Sequence, residues 1–326
     1  MTLSLRPWRA RAVNPWCAAL AAACAAAALA GGCGPKRGSD AGAASDGGGG
    51  STDAGGGATD SGGAACGTEA APVASIGGTE GLAIAPDGTV YYSQYRAVGR
   101  RLPGAAPEDA WVALAGADTV WGMALAADGM LYVGSPSTGV LYSIDTTAAV
   151  PVAQTLDGAA GNPNGVAMGP DGAVYYGDFN TGRVYRVTPA GARTEVTASP
   201  VPSANGLLFD ADGTLLVLDY FDGTIFRLTL DASMQETGRV MAGAASGNAV
   251  LDGIARDDLG RYYVTDNGNG ALLRFDAAFG AEETLLTGLP AAANVAFGKG
   301  ALRCTDVYVA SSGSLGLFNG DSAGTP

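Results

Sequence analysis

NGVAMGPDGAVYYGDF, residues 164–179, is the stretch whose reading decides the fold. Asn164-Gly165 and Asp171-Gly172 both carry turn chemistry, since Asn, Asp and Gly tolerate conformations that other residues resist. Between them lies one short apolar run, and after them an aromatic-rich one. The phrase recurs as EGLAIAPDGTVYYSQY from Glu80, WGMALAADGMLYVGSP from Trp121 and NGLLFDADGTLLVLDY from Asn205. DGIARDDLGRYYVTDN from Asp252 and ANVAFGKGALRCTDVYVASS from Ala293 complete the series. Gly81, Gly122, Gly165, Gly206, Gly253 and Asn294 are spaced by 41, 43, 41, 47 and 41 residues. Each copy supplies an apolar strand, a turn, an aromatic-rich strand, a second turn and a third strand, with looser sequence for a fourth. Six registered copies of four antiparallel strands predict an all-β, six-bladed β-propeller over residues 66–326.

Ring closure follows from the two ends of the repeat. The last blade has spent its third strand near Phe318, whereas APVASI, residues 71–76, is an apolar segment without a blade of its own. That N-terminal strand is expected to complete the last blade. Cys66 precedes it and Cys304 precedes the second strand of the last blade, so both fall on one face. A disulfide between them is expected, in a loop of more than 200 residues, worth about 2–4 kcal/mol.

The composition excludes much. There are 31 acidic against 18 basic residues, a net charge of −13, and the only lysines are Lys36 and Lys299. Nucleic-acid phosphates need clustered Lys and Arg, so nucleic acid is not the partner. The chain contains no histidine, which removes Ser-His-Asp and Cys-His catalysis and His-ligated zinc. Any chemistry runs on carboxylates, amides, hydroxyls, backbone or a metal held by oxygen.

Residues 1–32 have the pattern of an export signal. Arg6, Arg9 and Arg11 precede an apolar stretch from Cys17 to Ala30, too short to span a bilayer. It ends in LAGGC, which resembles a bacterial lipobox with Cys33 as the lipidated residue. Residues 33–65 are a Gly/Ser/Ala/Asp tract with nothing to bury, which reads as a tether reaching roughly 30 Å from a membrane. An exported chain in the cell envelope, touching the membrane only through a lipid anchor, is the expectation. Oligomeric state is left open.

In a propeller the first strand of every blade lines the central channel. The residues opening those strands, Glu80, Trp121, Asn164, Asn205, Asp252 and Ala293, should ring one mouth. Glu80, Asn164, Asn205 and Asp252 offer side-chain oxygen, the donor type that Ca²⁺ or Mg²⁺ prefers. The closing Asp-Gly pairs at Asp87, Asp128, Asp171 and Asp212 recur uniformly, as turn geometry demands. The opening position varies from blade to blade.

The ordered set Glu80-Gly81, Asn164-Gly165, Asn205-Gly206 and Asp252-Gly253 resembles the senescence-marker protein/gluconolactonase propellers. The closing phrase from Asn294 to Ser312 is similar to the last blade of that family. The resemblance covers residues 75–318. It implies a divalent metal, most readily Ca²⁺, at these four positions, with Asn164 also contacting substrate or metal-bound water. Sugar-lactone members often carry an Arg two residues before the blade-three Asn; Asn162 stands there, so the metal set is implied more firmly than an aldonolactone. Asn162 and Trp121 are then expected substrate contacts, with Tyr95 beside Trp121 as a further apolar surface. Hydrolysis of a lactone or other small ester, with Asp252 as general base, is the expected activity. The alternative is a non-catalytic surface propeller, since each blade also resembles the NHL type of repeat. Asp178, Asp219 and Asp266, which end second strands in that manner, are expected to anchor loops.

Overall fold

Five four-stranded antiparallel sheets and one three-stranded sheet make up the computed structural model, which describes residues 66–69 and 80–325. No helix occurs among the described residues. Consecutive strands pair in every sheet, so each sheet is an up-and-down blade. The innermost strands are Leu82–Ile84, Met123–Leu125, Pro163–Met168, Ala204–Phe209, Leu251–Arg256 and Val295–Phe297. Each touches the next around the ring, and the last touches the first. The protein is a closed six-bladed β-propeller.

The aromatic strands explain why the blades stack. Both faces of a blade are covered by neighbours, so a second strand has no solvent side and its sequence is continuously apolar. In Val174–Asp178 the side chains alternate between partners. Val174 and Tyr176 pack against Tyr132 and Leu141 of blade two, and Tyr175 packs against Leu207, Leu215 and Val217 of blade four. Six such clusters fill the six gaps between blades. Burying one large apolar side chain contributes about 1.5–3 kcal/mol, so each gap is held by several such residues.

The two look-alike dipeptides do different jobs. At the closing turn Asp171 Oδ1 accepts from the backbone N–H of Ala173, and Gly172 has φ +75°. Asp87, Asp128 and Asp212 accept in the same way from Thr89, Met130 and Thr214. These are turns whose Gly supplies a left-handed conformation. The opening dipeptide is no turn. Val166 pairs with Tyr176 and Pro163 with Asp178, so Asn164 and Gly165 together lie opposite Gly177 alone. The register shifts at the same place in blade four, between Ala204 and Leu207, and in blade five, between Leu251 and Ile254. A β-bulge therefore opens the inner strand and re-aims the residue before Gly.

The opening Gly is required by close approach. A Cβ on Gly165 would lie 1.8 Å from the carbonyl oxygen of Asn205, and one on Gly206 would lie 2.3 Å from that of Asp252. Gly81, Gly122 and Gly253 meet the carbonyls of Trp121, Asn164 and Ala293 at 2.2, 2.0 and 2.6 Å. In blade six Asn294 replaces Gly, and its N–H donates to the Glu80 carbonyl across the closure.

Residues 66–69 lie along the last blade. Gly67 N–H is shared between the carbonyls of Gly300 and Leu302, and Glu69 exchanges hydrogen bonds with Ala301 and Arg303. Cys66 and Cys304 are bridged, with Cα atoms 5.5 Å apart and 238 residues of separation. Glu69 also pairs at 2.8 Å with Arg101, a buried arginine of blade one. The expected closing strand at 71–76, the signal, Cys33 and the tether lie outside the described residues. Behind blade five the chain's last residues return: Ser322 Oγ donates to Asp257, and Thr325 N–H to the carbonyl of Arg256.

Two predictions follow from this construction. Gly165→Ala forces a methyl group into a carbonyl and costs more than about 3 kcal/mol, comparable with overpacking a rigid core. Gly172→Ala meets nothing within 4 Å and costs only about 1 kcal/mol for its left-handed φ; chemical denaturation of both variants measures the contrast. Glu69→Gln costs about 1–3 kcal/mol by weakening the partner of a buried guanidinium. Arg101 holds the Glu69 carboxyl below its ordinary value of 4.5. The stabilisation is therefore present above pH 4.5 and fades as acid titrates the carboxylate, so wild type and variant should converge at low pH.

Candidate functional site

The bulges deliver their side chains to the channel. A cavity of about 600 Å³ runs along it, lined at one end by Glu80, Asn164, Asn205 and Asp252 and at the other by Asp210, Arg256 and Lys299. Backbone anchors fix the acidic pair. Ser93 Oγ accepts from the N–H groups of Glu80 and Gly81, and Thr265 Oγ1 accepts from Gly253 N–H.

Electrostatics single out this end of the channel. Burial, with the Asp252 charge adding to it, pushes the Glu80 carboxyl well above the usual range. Burial also raises Asp252 to about 7, restrained by the Asn267 hydrogen bond and the nearby Asn205 amide. Neither carboxylate forms an ion pair among the described residues. Asn205 is almost fully buried, with its side-chain amide beside Asp252. Two neighbouring, mutually repelling carboxylates, Asp252 buried and Glu80 partly buried, are unstable unless something positive joins them.

These residues suit a hard divalent cation. No group of three or more His, Cys, Asp or Glu side chains that could hold a metal is found among the described residues. A cation here would draw on amide oxygens as well as carboxylates, a donor set typical of Ca²⁺ and Mg²⁺. The other buried aspartates behave differently. Asp178 accepts from the N–H groups of Asn162, Asn180 and Thr181 and from the Thr181 hydroxyl. Asp266 accepts from Val250 and Asn269, and Asp219 from Asp222. Satisfied by donors, they anchor loops.

The expected substrate contacts are not all gathered at the cavity. Asn162 is held in the loop tied down by Asp178, and Phe179 N–H donates to its carbonyl. Its side-chain Oδ1 is buried without a partner. Trp121 is half-buried and meets Phe179 edge-on at 6.2 Å, the first contact of an aromatic group that continues through Tyr220 and the exposed Phe221. Tyr95 is exposed. Two further residues belong to the site: Asn267 Nδ2 donates to Asp252 Oδ2 at 3.1 Å, and the Tyr220 hydroxyl donates to Asn267 Oδ1 at 3.0 Å. The one signal for them in sequence is that strand two ends Asp-Phe in blade three and Asp-Tyr in blade four but Asp-Asn in blade five.

A closed six-bladed propeller with acidic and amide side chains at one channel mouth is the class that fold and site define. Within that class the chain belongs to the SMP-30/gluconolactonase/LRE-like family, whose model matches residues 79–313. Among solved structures it is similar to a candidate gluconolactonase at 19% identity, with a TM-score of 0.64 over 78% of this chain and 93% of that one. Regucalcin from Agrobacterium tumefaciens, described as a calcium-binding protein, is similar at 20% identity and a TM-score of 0.63, over 77% and 92% of the two chains. A chain of a nidogen/laminin complex is similar at 17% identity and a TM-score of 0.59, over 73% and 94%. At such identities these likenesses show the fold alone. A comparison with curated proteins gives no match.

The buried pair has a measurable consequence. Because Glu80 is raised, the metal-free fold holds its proton more tightly than the unfolded chain does, and stability declines as pH rises above about 4.5. Glu80→Gln removes that repulsion. In chelator the variant should melt several degrees above wild type at pH 8, with the difference closing near pH 4; calorimetry at the two pH values checks it.

Proposed function

We propose that this chain is a divalent-metal-dependent hydrolase of a lactone or other small ester, working at the channel mouth. The observation that carries the reading is the Glu80–Asp252 pair, two neighbouring carboxylates on the channel, one buried and one partly buried, without a counter-cation among the described side chains. Membership of the gluconolactonase-type family supports it. Glu80, Asn205 and Asp252 would hold the cation, with Asn164 holding it or orienting the substrate. When bound, a divalent cation supplies fixed positive charge against the negative charge that develops on a carbonyl oxygen.

The chain's own residues do the rest. Asp252 takes a proton from the water that adds to the ester carbon and returns it to the departing alkoxide, so that a lactone becomes its hydroxy acid. The depth of the channel limits bulk water around that carboxylate. Trp121, with Phe179 and Phe221 beyond it, offers apolar contact to the substituent carried by the lactone or the acyl group. A substrate with an aryl or alkyl portion suits these rings better than a polyhydroxylated sugar lactone.

Export and anchoring belong to the same proposal. Cys33 would carry the lipid and residues 33–65 the tether, placing the propeller in the cell envelope, where the Cys66–Cys304 bridge is chemically at home. Mass spectrometry of the N-terminus tests the anchor; an unmodified peptide overturns it.

Metal analysis of the purified protein comes first, followed by a panel of lactones and aryl esters with and without chelator. Turnover should depend on Ca²⁺ or Mg²⁺, and Asp252→Ala should lower kcat by about a hundredfold or more, the range for a lost general base. Turnover that survives chelation or Asp252→Ala removes the mechanism. Tight metal binding with no turnover across the panel favours the non-catalytic surface propeller.

A further inference from the structure

Asp252 is held from outside the metal set. Its segment, residues 250–252, is pinned on both sides by backbone. Asn267 N–H donates to the Val250 carbonyl at 2.8 Å, and Leu251 N–H donates to the Tyr220 carbonyl at 3.1 Å. Asn267 is itself braced by Asp266, whose Oδ1 accepts from the N–H groups of Val250 and Asn269. The two residues that touch each other through side chains are thus already tied by backbone to the strand that carries the carboxylate.

The side-chain bonds have a direction. The Tyr220 hydroxyl donates to Asn267 Oδ1, which leaves Asn267 Nδ2 to donate to Asp252 Oδ2. Turning the amide over would set its oxygen against the carboxylate oxygen, two acceptors facing each other. The carboxylate therefore sets the orientation of the amide, the hydroxyl holds it there by donating to its oxygen, and the amide in turn occupies Oδ2 of the carboxylate. Tyr220 cannot swing away readily. Its ring meets Phe179 at 5.3 Å and Phe221 at 5.0 Å, edge-on in both cases.

Resting on the metal reading above, we propose that Asn267 is the positioning residue for Asp252, held in its working orientation by Tyr220, so that the carboxylate keeps one orientation toward the cation. Neither residue lines the cavity. Their effect passes through Asp252. Outer-shell partners of this kind commonly change metal affinity by about 10–100-fold.

The test is Ca²⁺ titration calorimetry on the purified full chain, with melting in chelator as the control for folding. Asn267→Ala should weaken Ca²⁺ binding by about tenfold or more. Tyr220→Phe, which keeps the ring and its packing, should weaken it by roughly two- to fivefold, the scale of one hydrogen bond acting indirectly. The double variant should bind no more weakly than Asn267→Ala alone, because the hydroxyl reaches Asp252 through the amide. A merely structural role would lower the melting point without this non-additivity. Wild-type binding together with Asn267→Ala affinity within twofold of it, or fully additive losses, overturns the positioning role and leaves the metal reading standing. A wild-type chain that binds neither Ca²⁺ nor Mg²⁺ overturns both.

Discussion

The molecule depends on how closely six inner strands can approach one another around an axis. At five of the six contacts a Gly Cα faces the carbonyl oxygen of the next blade's opening residue, at separations no Cβ could share. That approach sets the ring's diameter, and the ring's diameter sets everything on the axis. The bulge that makes room for the glycine in blades three to five also re-aims the preceding side chain. One dipeptide thus does two things. Its glycine builds the ring, and its first residue furnishes the channel.

Closeness has an electrostatic cost that the rest of the fold offsets. Glu80 and Asp252 are brought together out of water, and both carboxyls are raised by that burial. Asp178 and Asp266 are as buried as Asp252, but backbone N–H donors surround them. The distinction is chemical rather than positional. A carboxylate ringed by donors is a loop anchor, complete in itself, whereas the channel pair faces open volume and another negative charge. Six apolar gaps between blades supply the burial energy that tolerates this local strain, and the bridge at Cys66 keeps the ring from opening at its seam. Stability and site are therefore built from different residues of the same strands.

How legible this was in sequence depends on whether a feature repeats. The blades were legible because Asp-Gly turns and aromatic strands return every 41 to 47 residues, and periodicity is visible without any knowledge of contacts. The four polar residues at the channel mouth were legible for the inverse reason: they break the repeat at a position the ring makes equivalent. The glycines beside them read as turn formers, and the structure gives them another role, because a turn Gly and a packing Gly are the same letter. Only the conformation separates them: Gly172 has φ +75°, whereas Gly165 has no left-handed φ. Asn267 and Tyr220 left only the change at the end of strand two as a trace, and nothing in it names their partners. Asn267 reaches Asp252 across its own blade, 15 residues away, and Tyr220 reaches Asn267 across a blade boundary, 47 residues away, and no local pattern encodes such distances. Asn162 was singled out by alignment with a family position, yet its backbone is committed to the Asp178 loop.

Similarity to a regucalcin and to a chain of a nidogen/laminin complex at nearly the same level sharpens what fold can and cannot imply. The propeller's repeat fixes where six opening residues will stand; it leaves their identities free, since the contact to the next blade is made by backbone. A ring of apolar openings would close just as well. In this chain Trp121 and Ala293 show that latitude, and Glu80, Asn164, Asn205 and Asp252 place polar side chains on the cavity wall instead. Packing alone would not retain two unpaired carboxylates where alanine fits, because a buried charge without a partner only weakens the fold. The cation proposed above would account for their presence on the axis, and on that reading the chemistry would rest on these opening residues rather than on the six blades.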